Sequence, residues 1–158
     1  MDRTNGTASR RERLVDTFWT RHENPKSGWS RTLLGPLFVY ACYRRSWRLA
    51  VLAVAATVLN PIAFPPPDPE SESESESKSW MTRGVRAERW WLECGHGVIG
   101  RSWPNLLNAV AIPVSVYTLV AAYRQQPVRA ASGLACSMAL KFAWVGLVAR
   151  RHEAALER

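Results

Sequence analysis

Residues 104–123 read PNLLNAVAIPVSVYTLVAAY. Twenty residues without a charge match the length of a helix that crosses a bilayer. Trp103 and Tyr123 stand at its two ends, where interfacial aromatics belong. Pro104 suits a first helical turn, and Pro113 predicts a kink. The stretch decides the fold class: the chain reads as all-α, a polytopic membrane helical bundle.

Working outward, a tight turn at 124–127 leads to a second run from Val128 to Ala149. It carries Ala131, Ala135, Ala139 and Ala143 at a spacing of four, with Gly133 and Ser137 beside them. Small residues in such a row let another helix approach closely, so this is the expected surface for a second copy or a membrane partner. Lys141 interrupts the run. Intramembrane charges are functional candidates, but Lys141 is close enough to Arg150 along the helix to snorkel to the interface. Upstream, apolar runs from Thr32 to Tyr43 and from Leu49 to Phe64 flank Arg44, Arg45, Ser46, Trp47 and Arg48. The first is short for a span. A tight hairpin is favoured over a re-entrant segment, because an irregular end in lipid leaves backbone groups unpaired. Asn60-Pro61 and the prolines from Pro65 end the second run. Four spans are expected, at about 30–44, 47–64, 104–123 and 128–149.

The polar segments fill the rest. Residues 1–9 read as a disordered tail, 66–79 as a flexible acidic Ser/Glu loop, and 151–158 as a C-terminal tail. Arg10 to His22 places Leu14, Val15, Phe18 and Trp19 on one helical face, the pattern of an interfacial amphipathic helix. Pro25 is expected to end that helix, with Ser27-Gly28 continuing the break and Trp29 and Arg31 as an interfacial anchor. Trp80 to Trp91 gives a second interfacial amphipathic helix, with Met81, Val85, Trp90 and Trp91 on one side and Arg83, Arg86 and Arg89 elsewhere. Glu88 sits among those arginines at distances a helix can pair.

The net charge of +8 comes from 21 Lys and Arg, while mean hydropathy is only −0.19. The basic residues bracket apolar runs, which points to a lipid bilayer as partner and away from nucleic acid. With four spans, 15 of the 21 fall on the side of the two termini and 5 in the two short loops. That excess predicts a multi-pass protein of the cell membrane with both termini cytoplasmic, although Arg44, Arg45 and Arg48 then lie on the disfavoured side. No secretory leader is read in the first 31 residues. The cysteines, Cys42, Cys94 and Cys136, make no CxxC pair and are expected reduced.

Three groupings bear on chemistry. His22, Cys94 and His96 lack the fourth ligand of a zinc site, and no metal or other cofactor is expected. Arg21, His22 and Glu23 can face Glu88, Arg89 and Glu93 across one interface. His22, Glu23 and Glu88 are then candidates for acid–base catalysis, although an ion-pair clamp between the two amphipathic helices is favoured. Lys141 is the third. The glycines at 95, 97 and 100 match a dinucleotide-binding spacing, but no strand precedes them.

Three blocks carry a resemblance. Arg21-His22-x-Asn24-Pro25-x-Ser27-Gly28-Trp29-x-Arg31 is the first. Asn60-Pro61 with Phe64-Pro65-x-Pro67 is the second, and Trp80-Met81-x-Arg83-Gly84-Val85 with Glu88-Arg89-x-Trp91 the third. Together they resemble a family of small uncharacterised integral membrane proteins of haloarchaea and some bacteria. The resemblance covers roughly 14–150 and implies a helical membrane protein but no activity. The family pattern places an acidic-basic pair in the last helix, where this chain has Val145-Gly146 after Lys141-Phe142-x-Trp144. The expected role is a non-enzymatic membrane component or partner-binding protein; the rival is a membrane-embedded enzyme or small transporter with a polar site at the cytoplasmic interface.

Overall fold

The computed structural model describes residues 9–65 and 79–158. The expected tail and acidic loop lie outside them, except for Ser9 and Ser79. Among the described residues the protein is all-helical: α1 (Arg10–His22), α2 (Pro25–Tyr43), α3 (Trp47–Ala63), α4 (Trp80–Glu93), α5 (Asn105–Tyr123) and α6 (Pro127–Leu156). Two hairpins form the body. α2 packs on α3, α5 packs on α6, and α2 joins the pairs by touching α5 and α6. α1 and α4 lie at the end opposite the two hairpin turns.

Each boundary has a local cause. Ser9 caps α1 in a reciprocal capping box with Glu12. Asn24 caps α2 by accepting from the Lys26 N–H at 2.9 Å, and Pro25 takes the first helical position. α1 does end before Pro25, as expected, but the break does not continue through Ser27-Gly28. Proline starts the next helix here, and Ser27 and Gly28 are buried inside it. Asn60-Pro61 does not end α3 either, since the helix runs on to Ala63. α6 continues to Leu156, so most of the expected C-terminal tail is helix.

α2, α4 and α5 all end in the same turn. At α2, Arg45 N–H donates to Cys42 O at 3.0 Å and Ser46 N–H to Ala41 O at 3.0 Å. At α5, Gln125 N–H donates to Ala122 O at 2.8 Å and Gln126 N–H to Ala121 O at 2.9 Å. These are Schellman caps, which need a residue with positive φ. Gly95 supplies it after α4, but Arg45 (φ 49) and Gln125 (φ 57) do so in the hairpins.

Of the four expected spans, two helices, α5 and α6, are long and apolar enough to cross a membrane. The first hairpin falls short for a physical reason. α2 has 19 residues, about 28 Å, but its first two turns hold Lys26, Ser27, Ser30 and Arg31. α3 has 17 residues, about 25 Å, short of the roughly 20 residues a spanning helix needs. α6, at 30 residues, is about 45 Å long and outruns the roughly 30 Å hydrocarbon layer.

α4 corrects a second expectation. It is amphipathic, but its apolar side is buried in the protein: Met81, Val85, Ala87 and Trp91 pack against neighbouring helices. α1 keeps its apolar face uncovered, with Leu14, Val15 and Phe18 exposed. α6 meets α5 through Ala130 and Gly133, which lies against Thr118, whereas Ala131, Ala135, Ala139 and Ala143 all face outward.

The αL conformation costs a non-glycine residue about 1 kcal/mol or more. Gln125→Gly removes that strain at an exposed turn and is expected to stabilise the protein by roughly 0.5–1 kcal/mol, after the larger chain entropy of glycine is counted. A rise in the thermal midpoint of the detergent-solubilised protein checks this.

Candidate functional site: a polar cap on the helix ends

The start of α2, the end of α3, α4 and the second half of α6 meet at one end of the molecule. The three sequence blocks singled out above converge there. Ser27 Oγ donates to Asn60 Oδ1 at 2.8 Å, and Asn60 Nδ2 donates to Ser30 Oγ at 2.6 Å. Asn24 Nδ2 reaches Pro65 O at 3.1 Å. Thr82 Oγ1 donates to Glu23 O at 3.2 Å. Gly28 of α2 lies directly against the Met81 side chain. A Cβ on Gly84 of α4 would come within 2.6 Å of Val145 Cγ1 on α6. Each contact requires a small or polar residue, because the helices approach too closely for anything larger.

α4 crosses α6 steeply. Trp80 and Glu88, about 12 Å apart along α4, meet adjacent residues of α6: Trp80 packs edge-on against Phe142 at 5.7 Å, and Lys141 Nζ donates to Glu88 Oε1 at 3.4 Å. At the next turns Arg83 pairs with Glu153 at 3.1 Å, and the rings of Trp90 and His152 lie 5.2 Å apart. The arginines on the other side of α4 reach α1: Arg89 to Asp16 at 2.8 Å, and Arg86 to Glu23, in the turn after α1, at 3.1 Å. Arg89 also pairs with Glu93, and bonds to both carboxylates hold its guanidinium pKa above the ordinary value. Ion pairs this exposed are worth about 0.2–1 kcal/mol each. Their geometry fixes the direction of α4 more than it adds stability.

Beneath the crossing lies a buried polar node. Asn105 Oδ1 accepts from two indoles, Trp91 Nε1 at 3.1 Å and Trp144 Nε1 at 3.2 Å. Asn105 Nδ2 donates to Gly97 O at 2.6 Å. Around it sit Ala87, Val145 and Val148, all buried. Among the described residues every buried side-chain N or O atom has a hydrogen-bond partner. Losing one partner of such a group costs about 1–3 kcal/mol.

The three catalytic candidates are held by three different cations: His22 by Arg31, Glu23 by Arg86 and Glu88 by Lys141. Of the three, only the Glu23–Arg86 pair joins the two amphipathic segments as a clamp between them requires; His22 pairs with α2. Glu88 pairs with α6 instead of the arginines of its own helix. Arg21 stays in the last turn of α1, where a cation suits the helix dipole. Lys141 lies over the Trp144 ring at 4.2 Å, and Trp29 faces Trp80 at 6.5 Å. Among the described residues no three His, Cys, Asp or Glu side chains gather as a metal site. His96 is stacked on Trp91 at 4.0 Å instead. A cleft of about 290 Å³ between α2, α4 and α6 is lined by Arg31, Glu88 and Lys141 together with Trp80 and Phe142.

The partners of this cap that sequence reasoning passed over are Asp16, Ser27, Ser30, Asn60, Thr82, Asn105 and Trp144. Asn60 and Asn105 had a usable signal, being polar amides at the ends of apolar runs, where a hydrogen-bond partner is obligatory. Comparisons with protein-family models, curated proteins and solved structures find no match to this chain. Its function has to be read from the geometry.

His22 gives the cap a pH signature. Arg31 Nη1 lies 2.8 Å from His22 Nδ1. A guanidinium only donates, so Nδ1 accepts and the ring is neutral. Burial, then the charges of Arg31 and Lys141, lower the His22 pKa from 6.5 to about 4. Between those values the unfolded chain binds a proton that the folded chain refuses, so stability is full above pH 6.5 and falls towards pH 4. His22→Gln, whose amide oxygen can still accept from Arg31, is expected to flatten that part of the stability–pH curve. Thermal melts of both proteins across this range measure the difference.

Proposed function

We propose that the chain is a multi-pass membrane protein whose two hairpins, α2–α3 and α5–α6, enter the bilayer as four spans. α1 and α4 then lie across the ends of the helices on the side of both termini. The observation that carries this is where the apolar surface points. Only 17% of the apolar window of α5 and 22% of that of α6 is buried within the protein. On α3, Val51, Leu52, Val54, Val58 and Leu59 are all exposed. A core helix of a soluble domain would be covered, and a contiguous exposed apolar surface of this kind needs lipid or a partner. The bare apolar face of α1, with four arginines beside it, suits the headgroup boundary. The Lys and Arg excess on the side of the termini supports a cytoplasmic cap.

Within the membrane the role that fits best is a non-enzymatic component that assembles with a second copy or a partner. The clamp occupies the titratable groups of the cap, and the outward alanine row of α6 leaves a close-packing surface uncovered. A second reading is supported by the cleft. Arg31, Glu88 and Lys141 beside an apolar wall are the chemistry of a small transporter or membrane-embedded enzyme that handles a polar group.

Carbonate washing of membranes tests the membrane assignment: the chain is expected to stay in the pellet, and release into the wash would overturn it. Glu88→Gln separates the two roles. If Glu88 only clamps, the variant accumulates less and melts earlier. If Glu88 does chemistry, it accumulates normally and loses the cellular phenotype.

A further inference from the structure

The two hairpin turns carry Arg44, Arg45, Arg48, Arg124 and Arg129, all exposed. No Asp or Glu occurs from 24 to 67 or from 94 to 152, so this end of the molecule is cationic without a countercharge of its own. The proposed topology gives these arginines no role and puts them on the side that the charge bias disfavours. Arg45 also occupies a position with φ 49, where glycine is usual. Its guanidinium donates to Tyr123 O at 3.3 Å from Nε and 3.1 Å from Nη2, and lies 4.8 Å over the Tyr123 ring. This contact ties the two turns together and closes off the last turn of α5.

Behind it a cleft of about 690 Å³ runs between α2 and α3. Phe38, Ala41 and Val54 form its apolar wall, and Arg45 and Trp47 stand at its rim. Trp47 is 84% exposed, as an interfacial tryptophan is. Clefts of this size enclose ligands of several hundred daltons. An apolar channel whose one charged lining residue is Arg45, between turns that carry only cations, fits an acyl chain that ends in an anionic headgroup. A zwitterionic headgroup would bring its own cation among arginines that have no carboxylate to receive it.

We propose that this cleft holds an acyl chain of one anionic phospholipid, with its phosphate at the arginine-bearing turns. The proposal rests on the membrane assignment above. It gives the hairpin-turn arginines a partner and the strained Arg45 a reason.

The test is native mass spectrometry of the full chain, extracted from membranes in mild detergent and titrated with phosphatidylglycerol or phosphatidylcholine of identical chains. Phosphatidylglycerol is expected to bind roughly ten-fold more tightly. The double variant Arg44→Gln/Arg48→Gln leaves the cap untouched and is expected to weaken phosphatidylglycerol binding roughly 25-fold, at about five-fold per arginine. Ala55→Phe, which fills the cleft, should weaken both lipids. Equal binding of the two lipids, or phosphatidylglycerol binding unchanged in both variants, would overturn the proposal. A chain that resists carbonate yet shows no headgroup preference loses this proposal alone. A chain that carbonate releases loses the membrane assignment and this one with it.

Discussion

The Asn105 side chain, which accepts from the indoles of Trp91 and Trp144, is the contact on which the rest of the structure turns. Apolar helices in lipid gain little from hiding apolar surface against each other, so close packing and hydrogen bonds must hold them together. Asn105 joins α4, α5 and α6 at a single atom. Asn60 does the same for the first hairpin, held between Ser27 and Ser30. Both amides are buried near helix ends, at the same side of the molecule. The helices also pack through small residues, Gly28 and Gly84 at the cap and Gly133 nearer the second hairpin turn.

α4 converts these nodes into a cap. Its buried side meets α2 and α6, and its outer arginines reach back to α1 and forward to the end of α6. Because the helix lies across α6, one face can contact three elements that a parallel helix would reach only one at a time. The same crossing explains why Glu88 pairs with Lys141. The lysine stands in a run of apolar residues, and its charge is met by a carboxylate delivered from above and by the face of Trp144. Lys141 thus joins α6 to α4 and also lines the cleft beside them.

How much of this was legible in the sequence depends on whether a residue's partner is local. The 20-residue run from Pro104 announced α5, because length and hydropathy are properties of the segment itself. The periodicity of Trp80 to Trp91 announced a helix with one apolar side, but periodicity is silent on whether lipid or protein covers that side. Pro25 was read only as a stop; with Asn24 as cap it also begins the next helix, so the one residue does both. The alanine row was legible as a packing surface, yet the contact with α5 falls to Ala130 and Gly133, on another face of the same helix. The two asparagines are the instructive failures. Asn60 was read as part of a helix stop and Asn105 as the start of a span, whereas each is a long-range joint to residues that no local pattern names.

The central claim is that the first hairpin, despite its short apolar length, crosses the membrane with the second and places its turn on the side opposite the termini. Single cysteines at Arg44→Cys and at native Cys94, each in a chain otherwise free of cysteine, probe this directly with a membrane-impermeant maleimide on intact cells. The account predicts that the cysteine at 44 labels from outside, while Cys94, beside the cap, labels only after permeabilisation. Labelling of both positions from the same side would contradict it.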